Sequence, residues 1–311
     1  MLTKKLAIVI LSYNTKDLLS NCLNSLFKVI DKSKEKNLEV WVVDNGSKDG
    51  TVEMIKKLGK SNSCLKVLLN SENFGFAKGN NIGIKKAIKN GAEYVLILNS
   101  DTEVEDNFWQ PLVDFLGKNE KAGVVTPKIY FAPGYEYHKS RYKKAERGKV
   151  IWAAGGTVDW DNVYGINRGV NKIDKGQFKT SAKVDFASGC CLLASSDTWE
   201  KVNFFDERYF MYYEDNDFCQ KVIESGKLIY YVPEAKIWHL NSGSSRVGGE
   251  LQDYFIIRNR LIFGLRWAKP RTKFALIREA LRLFLSGRKW QKIAVKDYFL
   301  GNFEIGSWKK S

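Results

Sequence analysis

The chain is 311 residues long, 44% hydrophobic and 27% charged, with 50 Lys and Arg against 35 Asp and Glu for a net charge of +15. That is apolar material for one large or two modest cores, and 18 Phe, 14 Tyr and 9 Trp exclude a solvated, low-complexity chain. The excess charge is uneven: residues 258–311 hold 14 Lys and Arg against 3 Asp and Glu, net +11, which leaves 36 against 32 over the first 257.

Met1 to Lys5 leads straight into the apolar run Leu6–Leu11, too short for a signal peptide's apolar stretch. The amphipathic run Lys16–Ile30 follows, and the alternation repeats as Leu38–Val43 then Thr51–Leu58, Leu65–Leu69 then Lys78–Lys89, and Tyr94–Leu98 then Asp106–Lys118. This pattern predicts βαβα units. Continuous β-rich runs such as Val40–Val43 and Tyr94–Leu98 suit strands covered on both faces, so an open, mostly parallel α/β sheet flanked by helices is expected, with ligands at the carboxyl ends of its strands.

After Gly123–Thr126 the pattern changes, and residues 130–183, rich in Tyr, Gly, Lys and Trp, read as an irregular or antiparallel excursion. A second ordered block follows, with helices near Asp197–Val202 and Asp215–Ser225, the latter ended by Gly226, and a strand at Leu228–Val232. From about Leu251 the chain reads as helical and basic. The expected organisation is a domain over 1–250, with a first half (about 1–128) and a second half (129–250), and a basic helical extension over 251–311.

Five cysteines, Cys22, Cys64, Cys190, Cys191 and Cys219, form an odd set with no CxxC spacing, which points away from a disulfide framework or a thiolate zinc site and toward a reducing compartment. No apolar run approaches the ~18 residues of a spanning helix, so a cytoplasmic location is expected.

Three of the strands end in polar clusters: Ser12-Tyr13-Asn14, Asp44-Asn45-Gly46-Ser47-Lys48-Asp49-Gly50, and Asn99-Ser100-Asp101. Strand ends of such a sheet converge on one crevice. Asp44 is a carboxylate able to accept from a pyrimidine N–H or ribose hydroxyls, although Asp-Asn-Gly-Ser is also ordinary turn chemistry. Asp101, emerging from an apolar strand, is a hard ligand suited to Mg²⁺ or Mn²⁺, with Asn99 on the same strand face. The pattern Asp159-Trp160-Asp161 shares that spacing but lies in the irregular region and reads as a solvated turn. Asn73-Phe74-Gly75-Phe76-Ala77-Lys78-Gly79-Asn80 runs into a helix whose first N–H groups would suit a phosphate. It is neither a GxGxxG nor a P-loop, since the only Gly-Lys-Ser, Gly59–Ser61, has Met54 where the first glycine belongs.

Tyr213-Glu214-Asp215-Asn216-Asp217 opens a helix with Glu214 and Asp217 on one face and Asp215 on another. Acids in a first turn complement the helix dipole, and aromatic neighbours can raise a carboxylate toward a useful base. Of the two histidines, His239 follows Trp238 beyond a strand and His138 lies among Tyr and Lys; both read first as structural.

Taken together and in order, these segments resemble glycosyltransferase family two, within it the rhamnosyltransferase-like bacterial enzymes of surface polysaccharide synthesis, over roughly residues 6–244. The resemblance implies a GT-A fold, an inverting mechanism and a nucleotide-diphosphate sugar donor. It implies that Asp44 contacts the base, that Asn99-Ser100-Asp101 is a variant Asp-x-Asp motif with Asp101 on the metal, and that Asp215 is the general base. Ser12, Tyr13, Asn14, Asn45, Asn73, Gly75, Gly79, Asn80, Asn99 and Ser100 would complete the donor site. His239 matches a Trp-x-His-like element whose histidine joins the metal shell in some members; here Trp and His are adjacent. Asn99 stands where the family's first acid is more usual.

In the basic extension, Phe274, Leu276, Ile277, Ala280, Leu281, Leu283, Phe284 and Leu285 occupy a broad helical arc flanked by Arg271, Arg278 and Arg282. Such a helix suits an anionic membrane interface, and equally a packed or dimeric helix. The implied acceptor is a glycan or lipid-linked hydroxyl compound at the inner face of the membrane. Two other readings are a nucleic-acid-binding protein, which lacks any recognised module here, and a sugar nucleotidyltransferase, whose Gly-rich signature is missing where Ser12-Tyr13-Asn14 stands.

Overall fold

The computed structural model describes residues 2–240 and 249–308. The alternation read from the sequence becomes β1 (Leu6–Ser12), α1 (Lys16–Ser33), β2 (Leu38–Asp44), α2 (Thr51–Ser61), β3 (Leu65–Leu69), α3 (Gly75–Lys89), β4 (Tyr94–Asn99), β5 (Thr102–Val104) and α4 (Trp109–Lys118). Then come β6 (Ala122–Phe131), β7 (Ile151–Ala153), β8 (Gly156–Asp159), β9 (Tyr164–Asn167), β10 (Ala182–Val184), β11 (Cys191–Ser195), α5 (Ser196–Lys201), α6 (Glu214–Glu224) and β12 (Leu228–His239). The basic region folds as α7 (Glu250–Trp267), α8 (Pro270–Ser286) and α9 (Lys289–Phe299).

The main sheet runs β10-β12-β6-β11-β4-β1-β2-β3. Strands β3, β2, β1 and β4 are parallel, β12 is parallel to β6, and β11 lies antiparallel between β4 and β6. Both faces of the parallel strands are apolar. Ala7, Val9, Val43, Val95 and Ile97 face one core with α3; Leu6, Ile8, Ile10, Val42 and Leu96 face the other with α1 and α4. This is the two-sided burial that continuous apolar runs predict.

Residues 130–183 carry the short strands β7 to β10, with β8 and β9 pairing as a separate hairpin. Asp159 closes that hairpin's turn, its carboxylate accepting from Asp161 and Asn162, as a solvated turn should. Two strands are longer than their sequence suggests. β6 continues through Pro127 and Lys128 to Phe131, and β12 continues past Pro233 to His239 with a register shift between Val232 and Lys236. His239 is therefore the last residue of a strand, not a residue beyond one.

The C-terminal helices pack on the sheet domain. Leu261, Ile262 and Phe263 of α7, Leu276 and Ala280 of α8 and Val295 of α9 join the same core as α3. The α8 arc divides: Leu276 and Ala280 turn inward, while Phe274, Leu281, Phe284 and Leu285 are exposed, with Arg271, Arg278 and Arg282 also at the surface.

Candidate active site

Strand register brings the polar clusters together. Ser12 of β1 lies opposite Asp44 of β2, and Leu11 opposite Asn99 of β4, so three loops leave the sheet side by side. Hydroxyls link them: Ser12 Oγ is 3.0 Å from Thr15 Oγ1, which is 3.3 Å from Ser100 Oγ. Asn14, at a left-handed φ of 51°, accepts from Lys48 N–H and takes Ser47 Oγ as the acceptor for its own N–H. Tyr13 beside it is 45% exposed, leaving a ring free to stack on a planar ligand.

Several residues expected at the donor are interior instead. Asp44 has no exposed surface, and its oxygens accept from Gly46 N–H, Ser47 N–H and the Ser47 hydroxyl. It holds the 44–50 turn and presents no oxygen to a base in this conformation, the turn chemistry that its sequence also allowed. Asn45 is buried too, bridging Asn70, Asn73 and Gly75. A Cβ at Gly79 would come within 2.5 Å of Leu11 and one at Gly75 within 2.4 Å of Phe210 O, so both glycines serve close packing. Asn80 caps its own turn through Phe76 O. Two of the N–H groups expected to cradle phosphate at the start of α3 are engaged: Gly75 N–H donates to Asn73 Oδ1 and Phe76 N–H to Phe210 O. The donor candidates with surface toward solvent are Tyr13, Asn14, Asn73, Asn99, Ser100 and Asp101.

Asp101 and His239, 138 positions apart, meet because β5 turns back antiparallel onto the end of β12, pairing Thr102 with His239. Asp101 Oδ1 lies 3.1 Å from His239 Nε2, and Leu240 N–H donates to Asp101 O. Trp152 stands edge-on to the imidazole at 4.7 Å. Among the described residues no group of three or more His, Cys, Asp and Glu forms a closed metal cage. A carboxylate and an imidazole side by side are a donor pair that fits Mg²⁺ or Mn²⁺, which fill other positions with phosphate oxygens and water. The buried Nδ1 of His239 has no hydrogen-bond partner among the described residues.

Asp215 sits in the first turn of α6, where Gly189 N–H donates to Oδ2 at 2.9 Å while Asn216 N–H and Nδ2 donate to Oδ1. Burial pushes its pKa above the usual carboxylate range, against the pull of these donors. Neighbouring Glu214 is pushed well up by burial and by the Asp215 charge, and its buried Oε2 has no hydrogen-bond partner among the described residues. Asp217 points away, as the helical spacing predicts, into a buried contact with Trp267 Nε1 at 2.8 Å and Arg266 at 3.3 Å. A base works only when ionised, so with Asp215 in that role turnover is expected to fall as pH drops through its raised pKa. The acid limb of a kcat profile should lie above the ordinary carboxylate value of about 4, and a limb at or below it removes Asp215 from this role.

Sequence reasoning missed the segment that joins the acids. Gly189 N–H holds Asp215 while the next residue, Cys190, accepts Asn99 N–H through its carbonyl at 2.9 Å. A Cβ at Gly189 would come within 3.0 Å of the Phe76 ring of α3. These are backbone roles, and the signal they leave in the sequence is the small and apolar stretch Gly189–Ala194. Thr15, the centre of the hydroxyl chain, was equally silent. His138 is exposed, in keeping with its bland reading.

Comparison with known proteins gives the following. A sequence profile described as Glycosyl transferase family 2 matches residues 7–197. The dTDP-rhamnosyl transferase RfbF of Shigella flexneri is 24% identical over 264 residues, covering 82% of this chain and 78% of its own. An N-acetylglucosaminyl-diphospho-decaprenol L-rhamnosyltransferase of Mycobacterium tuberculosis is 25% identical over 256 residues, 78% of each chain. Among solved structures, GalNAc-T7 with UDP, GalNAc and Mn²⁺ matches with a TM-score of 0.65 at 16% identity. That match takes in 96% of this chain and 54% of the other, so this chain spans about half its length.

Proposed function

Because the chain belongs to glycosyl transferase family 2, whose profile matches more than half of its length, we propose that it moves a rhamnosyl or related hexosyl unit from a nucleotide-diphosphate donor to a hydroxyl of a glycan or lipid-linked acceptor, with inversion. Its fold is the GT-A arrangement of a mostly parallel sheet flanked by helices. The observation that carries the reading is the 189–190 segment, which ties Asp215 to Asn99 through consecutive backbone groups and so holds a carboxylate base beside the Asn99-Ser100-Asp101 loop. The rhamnosyl donor rests on the names of the relatives.

In the proposed reaction the acceptor hydroxyl attacks the anomeric carbon as Asp215 removes its proton, and the carbon–oxygen bond to the diphosphate breaks in the same step. Asp101 and His239 would hold the divalent cation, which when bound supplies positive charge to the departing diphosphate. Tyr13, Asn14, Asn73 and Ser100 orient the donor at the strand ends. Incubation with dTDP-, UDP- and GDP-sugars and Mn²⁺ is expected to release a nucleoside diphosphate in an acceptor-dependent way. Release of pyrophosphate would mark a nucleotidyltransferase instead, and salt-dependent DNA binding without sugar-nucleotide turnover a nucleic-acid protein.

We also propose that the enzyme works at an anionic membrane surface. Among the described residues no helix is long and apolar enough to cross a membrane. The exposed Phe274, Leu281 and Leu285 share one side of α8, with Arg271, Arg278 and Arg282 around them. That arrangement suits shallow insertion with the guanidinium groups at lipid phosphates. Removal of the whole extension would strip core residues, so the informative variant replaces Phe274, Leu281 and Leu285 with Ser. It should keep the fold and lose co-sedimentation with phosphatidylglycerol vesicles; unchanged binding removes the membrane reading.

A further inference from the structure

Tyr212 and Tyr213, directly ahead of Glu214 and Asp215, both adopt left-handed backbone conformations, with φ of 69° and 71°. Bulky residues avoid this region, and two in succession need outside support. One support comes from the C-terminal helix α7: the Asn259 side-chain amide, fully buried, donates to Met211 O at 2.7 Å and to Tyr212 O at 2.9 Å. The other end of the same segment is fastened to α3, where Asn81 exchanges two hydrogen bonds with the Phe205 backbone.

We infer that Asn259 is a positioning residue for the transfer reaction, its amide holding the left-handed Tyr212–Tyr213 pair that aims Asp215 at the acceptor hydroxyl. The inference rests on the reading of Asp215 as the base. The geometry is specific: a single amide spans two successive carbonyls just ahead of α6, and Asp215 is three residues beyond the second. The family profile ends at residue 197, so the Tyr212–Asp215 segment and α7 both lie beyond the matched region.

The test is steady-state kinetics on Asn259→Ala, Tyr212→Gly and the double variant, normalised to folded protein by circular dichroism. Asn259→Ala should lower kcat by about ten- to a hundredfold, the scale of a small misplacement of a reacting group, with donor KM little changed. Glycine adopts left-handed φ at no steric cost, so Tyr212→Gly should restore much of kcat in the Asn259→Ala background. A purely structural amide predicts the opposite, because losing the tyrosine as well would make the double variant worse. If Asn259→Ala yields no folded protein, Asn259→Ser carries the same comparison. Normal kcat in the folded single variant, or a double variant no better than the single, overturns the inference. Asp215→Asn in the same assay separates the failures: if it stays active, the base assignment has failed and not the role of Asn259.

Discussion

Asp215→Asn is expected to lower sugar transfer by about 10²–10⁴-fold, the usual contribution of a general base, while nucleotide binding is retained. The amide keeps the shape and can still accept from Asn216 N–H and Nδ2 through one oxygen, but it cannot take a proton from the acceptor. Neighbouring acids serve as controls. Asp217 faces Trp267 and Arg266 inside the protein, so Asp217→Asn should lower thermal stability and leave the kcat of the folded enzyme closer to wild type. The measurement pairs nucleoside diphosphate release in the presence of acceptor with calorimetric donor binding. Turnover near wild type in Asp215→Asn, with binding intact, would end its candidacy.

Asp101→Asn should have the second large effect. The carboxylate is the one charged donor of the Asp101–His239 pair, and His239 cannot compensate for its loss. Charge stabilisation of a leaving diphosphate is worth several kcal/mol, so turnover should fall by about 10²-fold or more. A readout independent of turnover is available: in the wild type, Mn²⁺ together with nucleoside diphosphate should raise the unfolding midpoint above either alone, and in Asp101→Asn that joint increment should vanish. An increment that persists would move the metal site elsewhere. His239→Gln should give the same pattern with a smaller loss, since it removes a neutral ligand.

The sheet was legible because its strands are apolar on both faces, and short continuous apolar runs such as Leu6–Leu11 and Tyr94–Leu98 alternate with longer amphipathic ones. The convergence of Ser12, Asp44 and Asn99 followed from parallel register alone. What escaped was whatever depends on pairing partners remote in sequence. β6 and β12 contain Pro127, Lys128, Pro233 and Lys236, which read as strand ends; they persist because Lys128 pairs with Asp174 and the β12 register shift absorbs Pro233. The same distinction explains the donor loop. Its glycines and asparagines suggested a ligand, yet Gly75, Gly79 and Asn45 are consumed by packing of α3 on β1 and on the Phe210 segment, and a sequence does not say whether a small residue makes room for a ligand or for its own chain. Asn259, one amide in a helix of mixed pattern, carries no periodic signal.

The antiparallel strand β11, inserted between β4 and β6, has a consequence for the order in which the enzyme is made. As the chain leaves the ribosome, β1 to β4 can assemble early, but the open side of β4 has no neighbour until residues 191–195 emerge. An unpaired edge at Val95–Leu98 is a template for association with other nascent chains until β11 covers it. Two late segments, β12 and α7, supply His239 to the pair with Asp101 and Asn259 to the carbonyls of Met211 and Tyr212 ahead of α6. The candidate site is therefore complete only after more than three-quarters of the chain has been made.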